Sequence, residues 1–362
     1  MSGRKERRIL LVSLGRQGGM PKYAQAIAAA FESLRMPFES ICSSGSEHPI
    51  PGAWKIPTYR GVPTLLLSSL TVLPLLLVLL TWRRLAGGFQ VMYFPYIHTW
   101  TPVLVMWGRL LSCRTVVTFH DYRPHFGEAN VATRLILWLT SRLASHFIFL
   151  SSHVREEAVA DQPAIGARSM VSPHGLFSLP GLHQKSPDEL AETVGTLLFL
   201  GRISKYKGVE MLAQAFGDAA LPDCRLVIAG RANYEMNAAI FPEGVRLIDR
   251  FLDEEEMAAL VNEADVIVLP YLEATQSGIV TLAIDAAIPI VCTRVPGLRE
   301  QLSEEEAVFC DPDVQSLSQA IRQVASLPAR RHLCEALSAR KRTMDWKAIA
   351  VEIHEHCVGR MG

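Results

Sequence analysis

The sequence predicts an α/β protein made of two Rossmann-like, doubly wound domains. Short β-rich runs alternate with apolar helical segments along the chain, a pattern typical of parallel sheets covered by helices. The length of 362 residues exceeds one ordinary hydrophobic core and suits two domains. We expect a first domain over residues 1–175, a linker over 176–193, a second domain over 194–343 and a C-terminal segment over 344–362.

The first domain is predicted to begin with a βα unit that has glycines at its turn. Ile9–Leu14 is an apolar run suited to a strand, and an amphipathic pattern from Tyr23 to Phe31 predicts the helix that follows. Gly18 and Gly19 lie between them and would let an acceptor, or the phosphates of a donor, approach the backbone closely. A tight turn without a ligand is the alternative. No Gly-x-Gly-x-x-Gly pattern follows the strand, which argues against a nicotinamide or flavin site.

The segment from Thr64 to Trp82 has nineteen residues without a charge and is followed by Arg83 and Arg84. Its length would cross a bilayer, but Pro74 is expected to break it, and a span at this point would divide a βα domain. We therefore expect either a core helix with a lipid-facing side or a helix lying in the membrane interface, anchored by Trp82 and the arginines. A transmembrane span is the third alternative.

The remaining elements of both domains follow the same alternation. The stretch from Ser43 to Gly61 is rich in Ser, Gly and Pro and is predicted to be a loop near the ligand cleft. Further strands are predicted at Val91–Pro95, Thr115–His120, Phe147–Ser151, Arg168–Ser172, Arg225–Gly230, Val245–Ile248, Ala264–Tyr271 and Ala307–Cys310. Helices are predicted at Pro102–Leu111, Val131–Leu143, after Asp253, at Val314–Ala325 and at Arg330–Ala339.

In the second domain, a charged loop follows the strand at Val194–Leu200. It contains Arg202, Lys205 and Lys207, and Gly208 opens a helix whose N-terminal amides favour an anion. Ligands bind at the carboxyl ends of strands in open α/β sheets, so this loop is a candidate phosphate site. Solvated lysines without a ligand are the alternative.

The pattern Gly201-Arg202, four residues, Lys207-Gly208 and then a helix resembles the diphosphate-binding loop of retaining GT-B glycosyltransferases. This group (glycosyl transferases group 1, family 4) includes bacterial mannosyltransferases and glycogen-synthase-like enzymes. The resemblance implies two Rossmann-like domains facing across a cleft, with a closing helix from about Trp346 that crosses back to the first domain. It also implies that Arg202 and Lys207 grip the two phosphates of a nucleotide sugar. Fixed cations act most strongly on charge that grows in the transition state, here on the leaving diphosphate.

A second motif of that family falls in Tyr271–Val291, which is predicted to be loop, helix and strand. The family carries two glutamates here, separated by seven residues, the first near the sugar hydroxyls and the second on the ribose. Glu273 lies one place before the register of the first, and Leu282, which cannot hydrogen-bond a ribose, takes the position of the second when Pro289 is aligned with the family's Gly-x-Pro. The expected donor contacts are therefore Glu273 and the residues that lead the helix, Thr275, Gln276, Ser277 and Gly278. A simple helix cap at Ser277 is the alternative.

Several side chains at strand ends of the first domain are further candidates. The resemblance places His120 where the family carries a cleft histidine that meets the transferred sugar, so a catalytic role is expected for it. His98, Ser151 and Ser152 follow other strand ends and are candidates for the acceptor side, with structural roles as the alternative. His174 stands where the family usually has Asn in Pro-Asn-Gly, and we expect it to be a hinge residue.

Composition limits the partners and the compartment. Residues 1–180 hold 18 Lys and Arg against 9 Asp and Glu, whereas the remainder holds 18 against 27. The basic half suits anionic lipid headgroups or a phosphorylated acceptor, and its dispersed arginines form no recognisable nucleic-acid module. The seven cysteines have no metal-site spacing, so we expect buried free thiols in a reducing compartment and no metal. The N-terminal apolar run is too short for a signal peptide, and we expect a cytoplasmic protein, peripheral on the inner face of the cell membrane.

These features predict a metal-independent glycosyltransferase that needs no cofactor besides its nucleoside-diphosphate sugar substrate. The expected acceptor is a saccharide or a polyprenyl-linked saccharide at the membrane surface, used in bacterial surface polysaccharide assembly. No nucleic-acid partner is expected. Two alternatives stay open: a GT-B nucleotide-sugar epimerase, and a non-catalytic GT-B protein that binds a partner, which Leu282 would favour.

Overall fold

The computed structural model describes residues 8–124, 130–237 and 241–359, which divide into two units. The first unit contains the described residues up to His174 and those from Trp346 onward. The second unit contains the described residues from Gly175 to Asp345.

The first unit is built on a parallel sheet. Its strands are β1 (Ile9–Ser13), β2 (Phe38–Ser43), β3 (Trp54–Ile56), β4 (Val91–Phe94), β5 (Arg114–Phe119), β6 (His146–Phe149) and β7 (Ser169–Val171). Its helices before His174 are α1 (Gly19–Ser33), α2 (Val62–Leu85), α3 (Thr101–Leu110), α4 (Val131–Leu143) and α5 (Ser152–Asp161). The strand order is β3-β2-β1-β4-β5-β6-β7, and β1 is buried along its whole length because both faces of the sheet are covered.

The prediction of a loop from Ser43 to Gly61 was wrong in part. β3 lies inside that stretch, and β2, which ends at Ser43, was not predicted. Both strands are weakly apolar in sequence. They form because β2 pairs with the buried β1 and β3 extends the ladder from β2.

The apolar segment forms a single helix, so the expected break at Pro74 was also wrong. α2 continues through Pro74 from Val62 to Leu85. It buries only Leu73, Leu76 and Leu80, so one side packs on the core of the first unit and most of its surface is exposed. Among the described residues, α2 is the one helix long and apolar enough to cross a membrane, by length and composition alone.

The second unit is a six-stranded parallel sheet with helices. The strands are β8 (Thr196–Leu200), β9 (Arg225–Ala229), β10 (Val245–Ile248), β11 (Val266–Leu269), β12 (Ile290–Thr293) and β13 (Ala307–Cys310). The helices are α6 (Val209–Ala219), α7 (Glu254–Glu263), α8 (Gly278–Ala286), α9 (Pro296–Gln301), α10 (Val314–Val324) and α11 (Leu327–Lys341). The order β10-β9-β8-β11-β12-β13 repeats that of the first six strands of the other sheet.

Most predicted strands and helices are confirmed with small shifts at their ends, whereas α5 and α9 were not predicted. Residues 176–193, expected to be a linker, pack on the second unit. Leu179 and Leu190 join its core, and the Lys185 amide donates to the Ala286 carbonyl at 2.9 Å.

The last helix, α12 (Trp346–Val358), belongs to the first unit and packs against α1. Ile353 and Cys357 are buried there, and Arg114 Nη1 donates to the Gly359 carbonyl at 2.6 Å. Six of the seven cysteines are buried as free thiols, with Cys224 half-buried.

Candidate active site

The centre of the second sheet is a topological switch point. β8 and β11 are neighbours there, and the chain leaves them in opposite directions across the sheet. Open α/β sheets bind ligands outside the carboxyl ends of such a strand pair. The loops after these two strands contain Arg202, Lys207 and the residues from Glu273 to Gly278. The topology therefore brings both sequence motifs of the second unit to one edge.

Close backbone contacts hold these loops in place. Gly208 has a φ of 63°, and a Cβ added there would lie 2.1 Å from the Pro270 carbonyl oxygen. Gly230 has a φ of 143°, and its Cβ would lie 2.0 Å from the Gly201 carbonyl oxygen. The Leu272 amide also donates to the Tyr206 carbonyl at 2.7 Å. Glycine is required at 208 and 230 because a side chain has neither the room nor the favoured φ.

Lys207 lies on Tyr271, the second residue after β11. Its Nζ is 4.9 Å from the ring centroid and 3.4 Å from the hydroxyl oxygen. Burial raises the pKa of Tyr271 to about 12, so the phenol stays neutral at physiological pH. The ammonium group can only donate, so the tyrosine oxygen accepts from Lys207.

Tyr271 in turn contacts Ser277, with 3.2 Å between the two hydroxyl oxygens. Either hydroxyl can be the donor in this pair, and in one of the two arrangements Lys207 donates to the phenol oxygen while the phenol donates to Ser277 Oγ. The serine hydroxyl hydrogen is then available for a third group. Lys207, Tyr271 and Ser277 thus form a chain of donors that starts from a positive charge.

The loop before α8 is clamped by α9. Gln301 Oε1 accepts from the Ser277 amide at 2.7 Å, and Gln301 Nε2 donates to the Ser277 carbonyl at 3.2 Å. Gly297 lies so close that an added Cβ would be 2.4 Å from the Thr275 carbonyl oxygen. Ser277 is the N-cap of α8, but its side chain makes no capping bond to the helix. Its hydroxyl therefore has a role other than the simple cap named as the alternative.

The other predicted donor residues differ in exposure. Arg202, Glu273 and Gly278 are exposed, and Thr275 and Gln276 are half-buried. These residues share the edge of the sheet with Lys207.

In the first unit, His120 lies in a ring cluster. Its ring is 5.2 Å from that of Tyr23 and 5.5 Å from that of His174, and Tyr23 also meets Trp346 at 5.6 Å. Burial lowers the pKa of His120 and lowers that of His174 further. His120 Nε2 lies 3.0 Å from the Pro95 carbonyl, which can only accept. The neutral ring therefore carries its hydrogen on Nε2, and Nδ1 is an acceptor.

Gly18 and Gly19 lie at the start of α1, where the sequence predicted close approach of donor phosphates. Gly18 has a φ of 83° and open space around it. The Glu47 carboxylate, however, accepts from the Gly18 amide at 3.4 Å and from the Gln17 side chain at 3.0 Å. A negative charge of the protein itself already occupies the position at which a phosphate would bind.

His98 and Ser151 have local structural contacts. His98 Nδ1 accepts from the Trp100 amide at 3.3 Å, and burial lowers its pKa to about 4. Ser151 caps α5 by accepting from the Val154 amide at 3.2 Å, and Ser152 is the first residue of that helix. His174 is the last residue of the first unit before the second unit begins.

The charged loop and the α8 loop both lie in a region with known relatives. The family described as Glycosyl transferases group 1 matches residues 194–326. Residues 194–326 therefore have the sequence pattern of the group 1 glycosyltransferases. The fold class predicted from sequence, two Rossmann-like α/β domains of the GT-B type, is confirmed with it.

Two curated relatives match parts of the chain. Glycogen synthase of Mycobacterium tuberculosis is 33% identical over 172 residues, which are 42% of this chain and 40% of that protein. The GDP-mannose:glycolipid 4-beta-D-mannosyltransferase of Xanthomonas campestris is 31% identical over 201 residues, 52% of each chain. The chain therefore spans about half the length, or less, of these relatives.

Similarity of structure extends further than similarity of sequence. The Anabaena protein HepE, solved in complex with UDP-glucose, superposes with a TM-score of 0.70 at 15% identity. The superposition covers 96% of this chain and 98% of HepE. At this identity the likeness establishes the fold.

The sequence departs from the group 1 pattern at two places, one on α8 and one directly after it. Leu282 is buried in the core of the second unit, so its position offers no polar group to a nucleoside. Ala287 takes the place of the family's glycine before Ile288-Pro289 and has a φ of 51°. Tyr271 and Gln301 were not predicted from the sequence as parts of the site. No spacing signal marks either residue, because each acts through a contact with a distant loop.

Proposed function

We propose that this protein transfers a sugar, with retention of configuration, from a nucleoside-diphosphate sugar to a lipid-linked saccharide. The observation that carries the proposal is the placement of Lys207 at the switch point, on the Tyr271–Ser277 pair. A cation held beside neutral donors suits the oxygens of a diphosphate. The complex of HepE with UDP-glucose supports a nucleotide sugar as the donor.

In the proposed reaction, Arg202 and Lys207 neutralise the charge that grows on the diphosphate as the glycosidic bond to it breaks. They supply this charge without a metal, and the nucleotide sugar is the substrate rather than a cofactor. The donor chain directs the Ser277 hydroxyl hydrogen to an oxygen of the donor. Groups that are fixed before the reaction stabilise the transition state most, because they need no reorganisation.

The sugar itself is proposed to contact Glu273 and the loop residues Thr275, Gln276 and Gly278. His120 is proposed to accept a hydrogen bond from a sugar hydroxyl at Nδ1, since its Nε2 hydrogen is directed to Pro95. A neutral imidazole suits this role, and burial keeps it neutral.

The acceptor is proposed to be held at the membrane, with the protein peripheral on its cytoplasmic face and acting in surface polysaccharide assembly. Two observations support a lipid-linked acceptor. The Xanthomonas relative is by name a glycolipid mannosyltransferase. In the first unit, α2 exposes apolar residues along most of its length.

The test is thermal unfolding of the full chain with a panel of nucleoside diphosphates and their sugars. We expect at least one of them to stabilise the protein, and Arg202→Ala and Lys207→Ala each to weaken its binding by about 1.5–3 kcal/mol, roughly tenfold or more. Lys205→Ala is the matched control. Lys205 lies on the same loop but over the Tyr234 ring, 5.8 Å from its centroid, and its loss should leave donor binding unchanged.

A donor whose stabilisation survives both Arg202→Ala and Lys207→Ala would overturn the placement of the diphosphate. One specific observation, the buried Leu282, favours a second candidate, a non-catalytic protein that binds a partner. Donor hydrolysis separates the two, because a non-catalytic protein turns over no nucleotide sugar. Interconversion of the donor sugar without any acceptor would instead indicate an epimerase.

A further inference from the structure

α2 has two faces of different exposure. Leu75, Val78, Trp82 and Leu85 follow one another at helical spacing and are 70%, 67%, 62% and 79% exposed. Leu73, Leu76 and Leu80 lie on the opposite side and are buried in the core of the first unit. The helix therefore holds to the unit by one side and leaves a long apolar side uncovered.

α4 repeats this arrangement. Val131, Leu135 and Trp138 are spaced by four and three residues, so they share one side of the helix. They are 83%, 52% and 51% exposed. The sequence predicted α4 as a helix of the first domain, without an exposed apolar side.

α3 contacts both neighbours and joins the two exposed sides. Trp107 Nε1 donates to Thr81 Oγ1 on α2 at 3.0 Å, and Arg109 Nη1 donates to the Leu143 carbonyl at the end of α4 at 3.1 Å. α3 also exposes Met106 and Leu110, by 45% and 68%. We call the exposed sides of α2, α3 and α4 the outer face.

The charges of these helices have a single sign. α2, α3 and α4 contain no Asp or Glu, and their arginines are Arg83, Arg84, Arg109, Arg134 and Arg142. Arg83 is already paired with Glu39 at 2.6 Å, so the other four supply most of the uncompensated charge.

Tryptophan marks both outer helices. Of the six tryptophans, all within the described ranges, Trp82 and Trp138 are the exposed ones. Each has an arginine guanidinium over its ring, Arg83 at 6.0 Å and Arg142 at 5.6 Å. Exposed tryptophan beside arginine is suited to the headgroup level of a bilayer, where the ring meets acyl chains and the cation meets phosphate.

We propose that the outer face binds a bilayer containing anionic lipid, with α2 lying along the interface and α4 as a second contact. The proposal rests on the proposed function in that it names the membrane partner of an enzyme with a lipid-linked acceptor. An apolar surface spread over three helices marks an interaction site, and its charge is complementary to anionic headgroups. A symmetric contact with a second copy would set these arginines against one another, which opposes that occupant.

Vesicle flotation of the full chain tests the proposal, using phosphatidylcholine vesicles with or without about 30 mol % phosphatidylglycerol. Val78→Glu on α2 and Leu135→Glu on α4 place a carboxylate on the outer face without touching the core. We expect each to weaken binding to the anionic vesicles at least tenfold. The matched control is Phe251→Glu, at a residue 56% exposed in the second unit, which should bind as the wild type does.

Two further measurements sharpen the result. Arg134→Ala and Arg142→Ala should each weaken binding about fivefold, and only to the anionic vesicles. In the absence of vesicles, the donor should raise the thermal unfolding temperature of all these variants by as much as it raises that of the wild type. A variant that loses vesicle binding but keeps donor binding therefore tests the outer face alone. A wild-type protein that binds no donor contradicts the proposed function alone.

Three outcomes would overturn the proposal. If Leu135→Glu binds the vesicles as tightly as the wild type does, α4 is not part of the membrane contact. A dimer in lipid-free buffer that Leu135→Glu converts to monomer would show that a second copy covers the outer face. Retention in vesicles after alkaline carbonate extraction would show that α2 spans the bilayer instead of lying in its interface.

Discussion

The switch points of the two sheets share a strand order and differ in the charge of their loops. In the second unit, the loop after β8 brings Lys207 onto Tyr271. In the first unit, the loop after β1 is fixed by a neutral group, because Tyr96 Oη lies 2.8 Å from Ser13 Oγ and accepts from the Gly15 amide at 2.7 Å. Strand order therefore decides where a ligand can bind, and the loop side chains decide which charge it can carry.

The helices that follow these loops differ in the groups that lie at their N-termini. α1 begins after Gly18, whose amide meets the Glu47 carboxylate. α6 begins after Gly208 and has no side-chain cap among the described residues. The first unit thus places its own anion at this helix N-terminus, whereas the proposed function places the donor diphosphate at the corresponding position of the second unit.

The largest expected effect is an acid response confined to the first unit. Burial lowers the pKa of His98 and of His146 to about 4, with Arg114 and other cations adding to the effect at His146. The unfolded chain takes up these protons near pH 6.5, so stability is full above that pH and falls as the pH drops towards about 4. The loss is on the order of 3 kcal/mol for the buried His98 at full effect and is smaller for the half-buried His146, where solvent screens the charge.

Tryptophan fluorescence measures this response selectively, because all six tryptophans belong to the first unit. We expect the fluorescence to change between pH 6 and 4, while amide hydrogen exchange of β8 and α6 stays protected. Simultaneous loss of both signals would mean that the two units do not differ in their response to acid.

The second prediction compares the two N-cap glycines. Gly208→Ala should destabilise the protein by about 2–5 kcal/mol, since left-handed strain adds to the overlap with the Pro270 carbonyl. Gly18→Ala meets open space and should cost only the strain, about 1–2 kcal/mol. Urea unfolding of the full chain measures both. If both substitutions lower the free energy of unfolding equally, the loop that contains Gly208 can move away from β11.

The third prediction compares the two tyrosines of the switch points. Tyr96→Phe leaves the Gly15 amide and the Ser13 hydroxyl without their buried partner, so the free energy of unfolding should fall by about 1–3 kcal/mol, with donor binding unchanged. Tyr271→Phe breaks the donor chain and should weaken donor binding about fivefold. The two variants are compared by urea unfolding and by donor titration. If Tyr96→Phe also weakens donor binding, the loops of the two units do not have separate roles.

The smallest effects are expected at residues with positive φ next to helix ends. Ser112→Gly, after α3, should stabilise the first unit by about 0.5–1 kcal/mol because glycine relieves a φ of 56°. Ala287→Gly relieves a φ of 51° but removes a buried methyl group, so a smaller gain is expected. Urea unfolding, followed by fluorescence for the first and by circular dichroism for the second, measures both. A loss of stability in Ser112→Gly would indicate that the strain is absent.

Residues with strong local signals were predictable. The apolar strands, the amphipathic helices and the loop with Arg202 and Lys207 follow from runs and spacings within a few residues. β2 and β3 were not predictable, because their polar sequences become strands only through pairing with β1. The expected break at Pro74 failed for a similar reason, since the helix is held by contacts of Leu73, Leu76 and Leu80 with the core.

The sequence by itself determined most of the strands and helices, apart from β2, β3, α5 and α9, and it determined where the positive loop lies. These features depend on neighbours along the chain. Only the tertiary structure decided that Lys207 meets Tyr271 at a separation of 64 residues, that Gln301 holds Ser277, and that the outer sides of α2 and α4 stay uncovered. The physical reason is that a parallel sheet pairs strands distant in sequence, so the groups that share one edge, or one exposed surface, are set by strand order rather than by local pattern.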